Sequence, residues 1–392
     1  MTRADTMFRE GSSDIPPIAR VPSEWAQHLA ARGERAFRAA QLFDWIHAKG
    51  VTDPEAMTNL SRAMRSWLAA SGLHPVASMA HLHRAPDATV KLVLSLADRS
   101  VIETVLIPMN PARPDEPRDA DLPDPEDDDS EQDDAAEAGR VRVTQCISTQ
   151  VGCAMQCAFC ASGANGLQRH LSPDEIVSQT LIGRSLLAPD HVLTNVVVMG
   201  MGEPLHNYDA TARALRLLTH PQGIGLSPRR INVSTVGLVP GIERLGRDFE
   251  GRVGLAVSLH AADDETRDRI VPMNKRYRLQ DIVAALRSYP LPPHRRLTVE
   301  YALIDGVNDH LDHARRLASL LQGLRVKVNL IPMNPVASSG FRPPPFDRVL
   351  AFQQVLTRAG YVCLLRRRRG DDISAACGQL AATVQRPPDE SS

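Results

Sequence analysis

The chain has 392 residues, 43% of them hydrophobic, and its 46 acidic and 45 basic side chains leave a formal net charge of −1. That length allows one large domain and a small one, and no stretch approaches the ~20 apolar residues that a membrane span needs. Met1 to Pro17 lacks the apolar core of a secretory signal, and six cysteines in a chain this long do not make a disulfide scaffold. The charge is unevenly spread. Residues 111–140 hold thirteen acids against three arginines, which leaves the rest of the chain with 33 acids and 42 bases. A basic body suits a partner made of phosphates.

Residues 1–20 are polar and mixed in charge and are expected to be a disordered N-terminus. Residues 21–109 read as an accessory domain, helical and then stranded. Three helical patterns run through Trp25 and Leu29, through Phe37, Leu42, Phe43 and Ile46, and through Met57, Leu60, Met64, Trp67 and Leu68. Short β-like runs follow at Thr89–Leu94 and Val101–Ile107. Residues 110–140 are rich in Pro, Asp and Ala with almost no large apolar side chain. They cannot bury enough surface to order themselves and are expected to be an acidic disordered insert.

From residue 141 to 385 strand and helix patterns alternate, ahead of a short tail at 386–392. Strands are expected at 141–149, 195–200, 231–236, 253–260, 297–304, 326–332 and 361–367, with helices such as 172–187, 207–219 and 279–288 between them. Such repeats imply an α/β fold with a parallel sheet, closed as a full or partial (β/α) barrel. In such barrels chemistry sits on the loops after the carboxyl ends of strands.

The loop after the first of these strands reads Cys153-Ala-Met-Gln-Cys157-Ala-Phe-Cys160. Three thiols at this spacing can hold an iron–sulfur cluster with one iron left open, whereas closed structural sites take four ligands. The blander readings are half a zinc site, with His170 as the nearest further ligand, or three thiols on one helical face. Gly152, Gly163 and Gly166 favour a loop over a helix interior. Cys-x3-Cys-x2-Cys is similar to the signature of the radical S-adenosylmethionine (radical SAM) superfamily, in which the open iron takes the methionine part of the cofactor.

Further polar groups fall on successive strand ends. Gly202 and Glu203, in Met199-Gly-Met-Gly-Glu-Pro204, follow the second strand; glycine lets backbone approach a ligand, and the carboxylate can hold an amine. Ser234 ends the third strand, Ser258-Leu259-His260 the fourth, and Asn334 follows the sixth. Each alone is an ordinary loop residue, but together they line one rim. Arg366–Arg369 and Arg229–Arg230 are basic runs suited to phosphate contacts, which position a nucleic acid without reading bases.

Gln150-Val-Gly-Cys153, Met199–Pro204, Ile270-Val-Pro-Met-Asn274 and Gly370-Asp-Asp-Ile-Ser-Ala-Ala-Cys-Gly-Gln-Leu380 together resemble the RlmN/Cfr family of radical SAM RNA methyltransferases. The resemblance covers roughly residues 20–385, and the acidic insert is its one clear departure. It implies a partial barrel of radical SAM type, a [4Fe–4S] cluster on Cys153, Cys157 and Cys160, and S-adenosylmethionine held by Gly202, Glu203, Ser234, Ser258, Leu259, His260 and Asn334.

It also implies methylation of adenine carbon 2 in large-subunit ribosomal RNA and in tRNA, with two S-adenosylmethionine molecules per turnover. Cys377 would carry an S-methyl group and become linked to RNA, Cys146 would resolve that adduct through a disulfide, and Glu103 would accept a proton. An electron donor such as flavodoxin or ferredoxin, a monomer, no membrane and a cytoplasmic location complete the expectation. The rivals are a Cfr-like carbon-8 methyltransferase and a non-catalytic RNA-binding protein with a structural metal. Cys363 has no counterpart in the family's chemistry and is assigned to packing.

Overall fold

The computed structural model describes residues 15–109, 139–164, 166–334, 336, 339–366 and 369–380, the side chain of residue 371 excepted. The acidic insert from 110 to 138, Arg367, Arg368 and the chain from 381 onward lie outside the described residues.

Three short helices open the chain: α1 (Pro22–Ala30), α2 (Phe37–Phe43), which runs on into a wider turn over Asp44–Ala48, and α3 (Arg62–Ala70). Their apolar faces bury Trp25, Leu29, Leu42, Phe43, Met64 and Leu68, as the 3.6-residue period requires. This unit is bolted to the barrel by ions and by backbone. Arg213 makes three hydrogen bonds to the Glu24 carboxylate, and Arg184 donates to the carbonyls of His47 and Ala48.

Ten strands make one sheet: β1 (Ala77–Arg84), β2 (Val90–Leu96), β3 (Val101–Met109) and β4 (Val141–Cys146), then β7 (His191–Val198), β8 (Ile231–Thr235), β9 (Gly254–Ser258), β10 (Leu297–Leu303), β11 (Val326–Pro332) and β12 (Val362–Leu365). A separate hairpin, β5 (Gln150–Gly152) with β6 (Leu167–His170), stands over the rim. From β4 to β12 every neighbouring pair in the main sheet is parallel. β12 does not return to β4, so the barrel is partial, as expected. Every residue of β10 is buried, the mark of a strand covered on both faces.

Two expected boundaries move. Ile18 and Ala19 sit in a 3-10 turn and are buried, so the ordered chain begins before residue 20; the apolar run there is too short to show a helical or strand period. The strands of 77–109 are no part of a separate domain. β1, β2 and β3 extend the barrel sheet antiparallel, with Val105 opposite Cys146. The first parallel strand is also shorter than expected. It stops at Cys146, and 150–152 turns away to pair with 167–170.

Candidate active site

The carboxyl ends of the parallel strands open into a cavity of about 920 Å³, its mouth included. Cys153, Cys157, Cys160, Gly202, Glu203, Ser234, Ser258, His260, Asn334 and Cys377 all line it. Residues from six separate segments thus converge on one space. Leu259 does not. Its side chain is fully buried, and its backbone N–H is spent on the Glu300 carbonyl.

The three cysteines suit a cluster. Burial pushes the Cys153 thiol up to about 12, with smaller contributions from Glu203 and Cys160, and burial pushes Cys157 well above its ordinary value, helped by the other two thiols. Two thiols so reluctant to ionise alone become thiolates only against a cationic centre. Among the described residues no three His, Cys, Asp or Glu side chains form a group that could hold a metal ion. Three thiols on one cavity wall, with no fourth ligand in their motif, suit a cluster that leaves one iron open. His170 is engaged elsewhere, its Nδ1 3.0 Å from the Gln150 amide nitrogen.

The Gly-Glu-Pro turn is held from below. Gly202 has φ +104°, and a Cβ there would come within 2.6 Å of Gln150 Cβ. Gln150 Oε1 accepts from the Glu203 N–H at 2.9 Å. Glu203 is itself buried, and its carboxylate accepts from the N–H groups of Leu205 at 3.0 Å and Val236 at 2.9 Å. Burial outweighs those donors and raises its carboxyl to about 7. A buried acid with its oxygens fixed at a cavity wall is suited to a ligand ammonium, which would complete its charge balance.

His260 is held neutral. Burial first, and Arg267 second, push it down to about 3. Its Nδ1 accepts from the Ala302 N–H at 3.0 Å, Phe159 meets it edge-on at 4.7 Å, and its backbone adopts φ +58°. A non-glycine residue in the left-handed region is backbone strain stored at the site.

Cys377 is brought to this rim by the terminal segment. Asn334 Nδ2 donates to the Cys377 carbonyl at 3.0 Å, and the Ala161 N–H, beside the cysteine loop, donates to the Gly378 carbonyl at 2.7 Å. Behind Cys377 lies a second cavity of about 710 Å³, lined by Cys146, Arg366 and Arg369 as well as by Cys160, Asn334 and Cys377. Cys377 and Asn334 stand on the wall that both cavities share.

Glu103 lines neither cavity. It is buried on β3, an interior strand, and not at a solvent-facing edge. Its carboxylate pairs with Lys91, and its backbone carbonyl accepts from Ser148 Oγ at 2.6 Å. Arg229 and Arg230 form a turn at the entrance to β8, the end opposite the rim, and Arg230 is buried, so that run does not reach the cavities. Cys363 packs in the main core.

Several contributors carry no motif. Ser148 Oγ accepts from the Met201 N–H, and Arg267 sits fully buried behind Ser258 and Leu259. A serine in a loop and an arginine in a helix give no sequence signal; a lysine at position 91 within the apolar run of β2 was the one visible irregularity.

A partial barrel with a three-cysteine loop after its first strand and a Gly-Glu-Pro turn after its second defines a radical SAM enzyme. Residues 147–318 match the family model of the radical SAM superfamily, and residues 22–72 match that of the ribosomal RNA large subunit methyltransferase N-terminal domain. The chain is 59% identical to the dual-specificity RNA methyltransferase RlmN of Sorangium cellulosum (strain So ce56), over 96% of its own length and 98% of that protein. The RlmN of Syntrophobacter fumaroxidans is 44% identical over 92% of this chain and 95% of its own. A crystal structure of a radical SAM methyltransferase from Sphaerobacter thermophilus superimposes with a TM-score of 0.81 at 40% identity, covering 93% of this chain and 99% of that one. The chain belongs to the RlmN family of radical SAM RNA methyltransferases. Membership carries with it a [4Fe–4S] cluster and S-adenosylmethionine, and no described helix is long and apolar enough to cross a membrane.

Proposed function

We propose that this enzyme methylates carbon 2 of adenine in both large-subunit ribosomal RNA and tRNA, by way of an S-methyl group on Cys377. The position of Cys377, on a wall shared by a cavity with three cluster-type thiols and a cavity with Cys146 and two arginines, carries this reading.

In it, Cys153, Cys157 and Cys160 hold the [4Fe–4S] cluster, and Glu203 takes the cofactor's ammonium while Gly202, Ser234, Ser258, His260 and Asn334 shape the rest of the site. The bound cluster and cofactor supply a carbon radical able to abstract a hydrogen atom from the S-methyl group. Asn334 fixes the backbone of Cys377 so that its sulfur can serve both cavities. Arg366 and Arg369 lie where phosphates flanking an extruded adenine would pass. Glu103 is assigned the proton lost from the base on the family resemblance alone, since its carboxylate lines neither cavity. The Cys146 thiolate attacks the Cys377 sulfur, the S–S bond forms as the S–C bond to the RNA-linked carbon breaks, that carbon keeps the electron pair and takes a proton from solvent, and the methylated base leaves.

Each turnover uses two S-adenosylmethionine molecules, one for Cys377 and one for the radical. The electrons come from a flavodoxin or ferredoxin, and the enzyme works as a monomer in the cytoplasm, where thiolate ligands stay reduced.

The test is nucleoside mass spectrometry on RNA treated anaerobically with reconstituted enzyme, reductant and methyl-deuterated S-adenosylmethionine. Expected is 2-methyladenosine retaining two deuteriums; 8-methyladenosine would place the enzyme with Cfr-like activity, and three retained deuteriums would refute the methylene route. Cys146→Ala should accumulate a covalent protein–RNA adduct, and full turnover by that variant would remove Cys146 from the mechanism.

A further inference from the structure

Gln150 is fully buried on β5, in the hairpin that leads into the cysteine loop. Its Oε1 accepts from the Glu203 N–H at 2.9 Å, and its Nε2 lies 3.0 Å from His170 Nδ1 and 3.2 Å from His206 Nδ1. A backbone N–H can only donate, so Oε1 must be the atom that faces Glu203. Nε2, which can only donate, then faces both imidazoles. Each Nδ1 is therefore an acceptor, and the network assigns both rings the neutral form with the proton on Nε2.

The arrangement closes on itself. His206 lies in the same turn as Glu203, and its N–H donates to the Glu203 carbonyl at 3.1 Å. The Gln150 amide thus grips that turn on both sides of Glu203, while His170 ties it to β6. The Cβ and Cγ of Gln150 fill the space beside Gly202. The two rings meet edge-on at 5.0 Å, and both reach solvent. Burial holds each below the ordinary histidine value, with His206 adding to the shift of His170 and Arg276, just past the turn Pro272–Lys275, adding to that of His206. The other charged groups nearby are engaged elsewhere. Arg169 pairs with Asp98 and Glu175, and the Glu203 carboxylate faces the N–H groups of Leu205 and Val236.

We propose that Gln150 is a positioning residue for cofactor binding: its amide, oriented by His170 and His206, fixes the backbone of Glu203 and with it the carboxylate that takes the ammonium of S-adenosylmethionine. This rests on the reading of Glu203 as the partner of that ammonium. A protonated imidazole carries a hydrogen on both nitrogens. Its Nδ1–H would face the N–H groups of the Gln150 amide, which then loses the acceptors that orient it. The anchor on Glu203 is firm only while both rings are neutral.

The experiment measures S-adenosylmethionine affinity by anaerobic calorimetry on full-length, cluster-reconstituted enzyme, at about pH 8 and at about pH 5.5, either side of the histidine range. Gln150→Met keeps the volume and removes the amide. With the Glu203 N–H left unpaired, binding at the higher pH should weaken roughly ten-fold. In the double variant His170→Asn, His206→Asn, each Oδ1 stands where Nδ1 stood and does not titrate. It should match wild type at the higher pH and bind roughly two- to ten-fold more tightly than wild type at the lower one. Titration of Glu203 itself is common to both proteins and cancels in that ratio. Glu203→Gln should bind weakly at both.

The same ratio of double variant to wild type at both pH values, or wild-type affinity in Gln150→Met, overturns the proposal while leaving the role of Glu203 standing. Wild-type affinity in Glu203→Gln instead overturns the reading of Glu203 itself. If Gln150→Met does not fold, the double variant, altered only at exposed positions, decides alone.

Discussion

Replacing Arg267 should unfasten the cofactor rim from the inside. Its guanidinium is fully buried and donates to the carbonyls of Leu259 at 2.9 Å and Ser258 at 3.2 Å, to the Val236 carbonyl, and to Asn274 Oδ1 at 3.0 Å. Those acceptors belong to the ends of two barrel strands and to the turn that follows the helix Asp264–Ile270. Arg267→Met fills much of the volume but leaves four acceptors without a donor in a place water cannot reach. At about 1 kcal/mol each, the low end for an unmade buried hydrogen bond, the loss is about 4 kcal/mol. With an unfolding entropy of about 2 cal/mol/K per residue, that lowers the melting temperature by roughly 5 °C. Arg267→Lys retains a cation but reaches fewer acceptors, and should lose about half as much. Thermal unfolding by circular dichroism on anaerobically purified protein reads the first effect, and equilibrium binding of S-adenosylmethionine reads the second, since Ser258 and His260 both sit on the disturbed segment. A melting temperature of Arg267→Met within a degree of wild type would refute the reasoning.

Three other expectations follow from the same structure. Burial lowers His47 from 6.5 to about 4, with its Nε2 on the Ile18 carbonyl and its ring against Phe43. The neutral ring is the stabilising form, so its contribution is whole above pH 6.5 and lost as pH falls toward 4, about 3 kcal/mol in all. His47→Gln should flatten that part of the acid unfolding curve, and an unchanged slope would contradict the burial argument. Gly202→Ala places a Cβ against Gln150 at a backbone angle L-residues rarely adopt; S-adenosylmethionine affinity measured by calorimetry should fall at least about ten-fold, a displacement of Glu203 worth about 1.4 kcal/mol, and unaltered binding would show that the turn tolerates it. Finally, β3 ends at Met109 opposite Arg142, near the start of β4 and away from the rim. Replacing residues 110–138 with a short turn should therefore leave folding, RNA affinity and its salt dependence unchanged. A rise in RNA affinity at low salt would instead identify the insert as a guard of the basic surface.

The repeating strands and helices after residue 141 were legible because parallel strands covered on both faces must be apolar runs, and those runs lie between helical periods of fixed length. The rim was legible too, through the thiol spacing and through polar residues that fall on strand ends. Shorter elements were not. Ile147 and Thr149 are good strand formers, so the first strand was expected to run to residue 149, whereas it ends at Cys146.

What the sequence alone determined is the local chemistry: three thiols spaced for a cluster, a Gly-Glu-Pro turn, and a family membership carried by contiguous motifs. These depend on neighbours along the chain, and neighbours along the chain are what a sequence displays. Tertiary structure decided the partnerships between distant positions. It merged β1–β3 into the barrel sheet, put Leu259 inside the core and Glu103 behind the cavities, and stood Cys377 on the wall that the two cavities share. Lys91 shows the reason most plainly. Its two acceptors are 12 and 283 residues away along the chain, and only a packed interior, where an unpaired charge is costly, brings them to the same nitrogen.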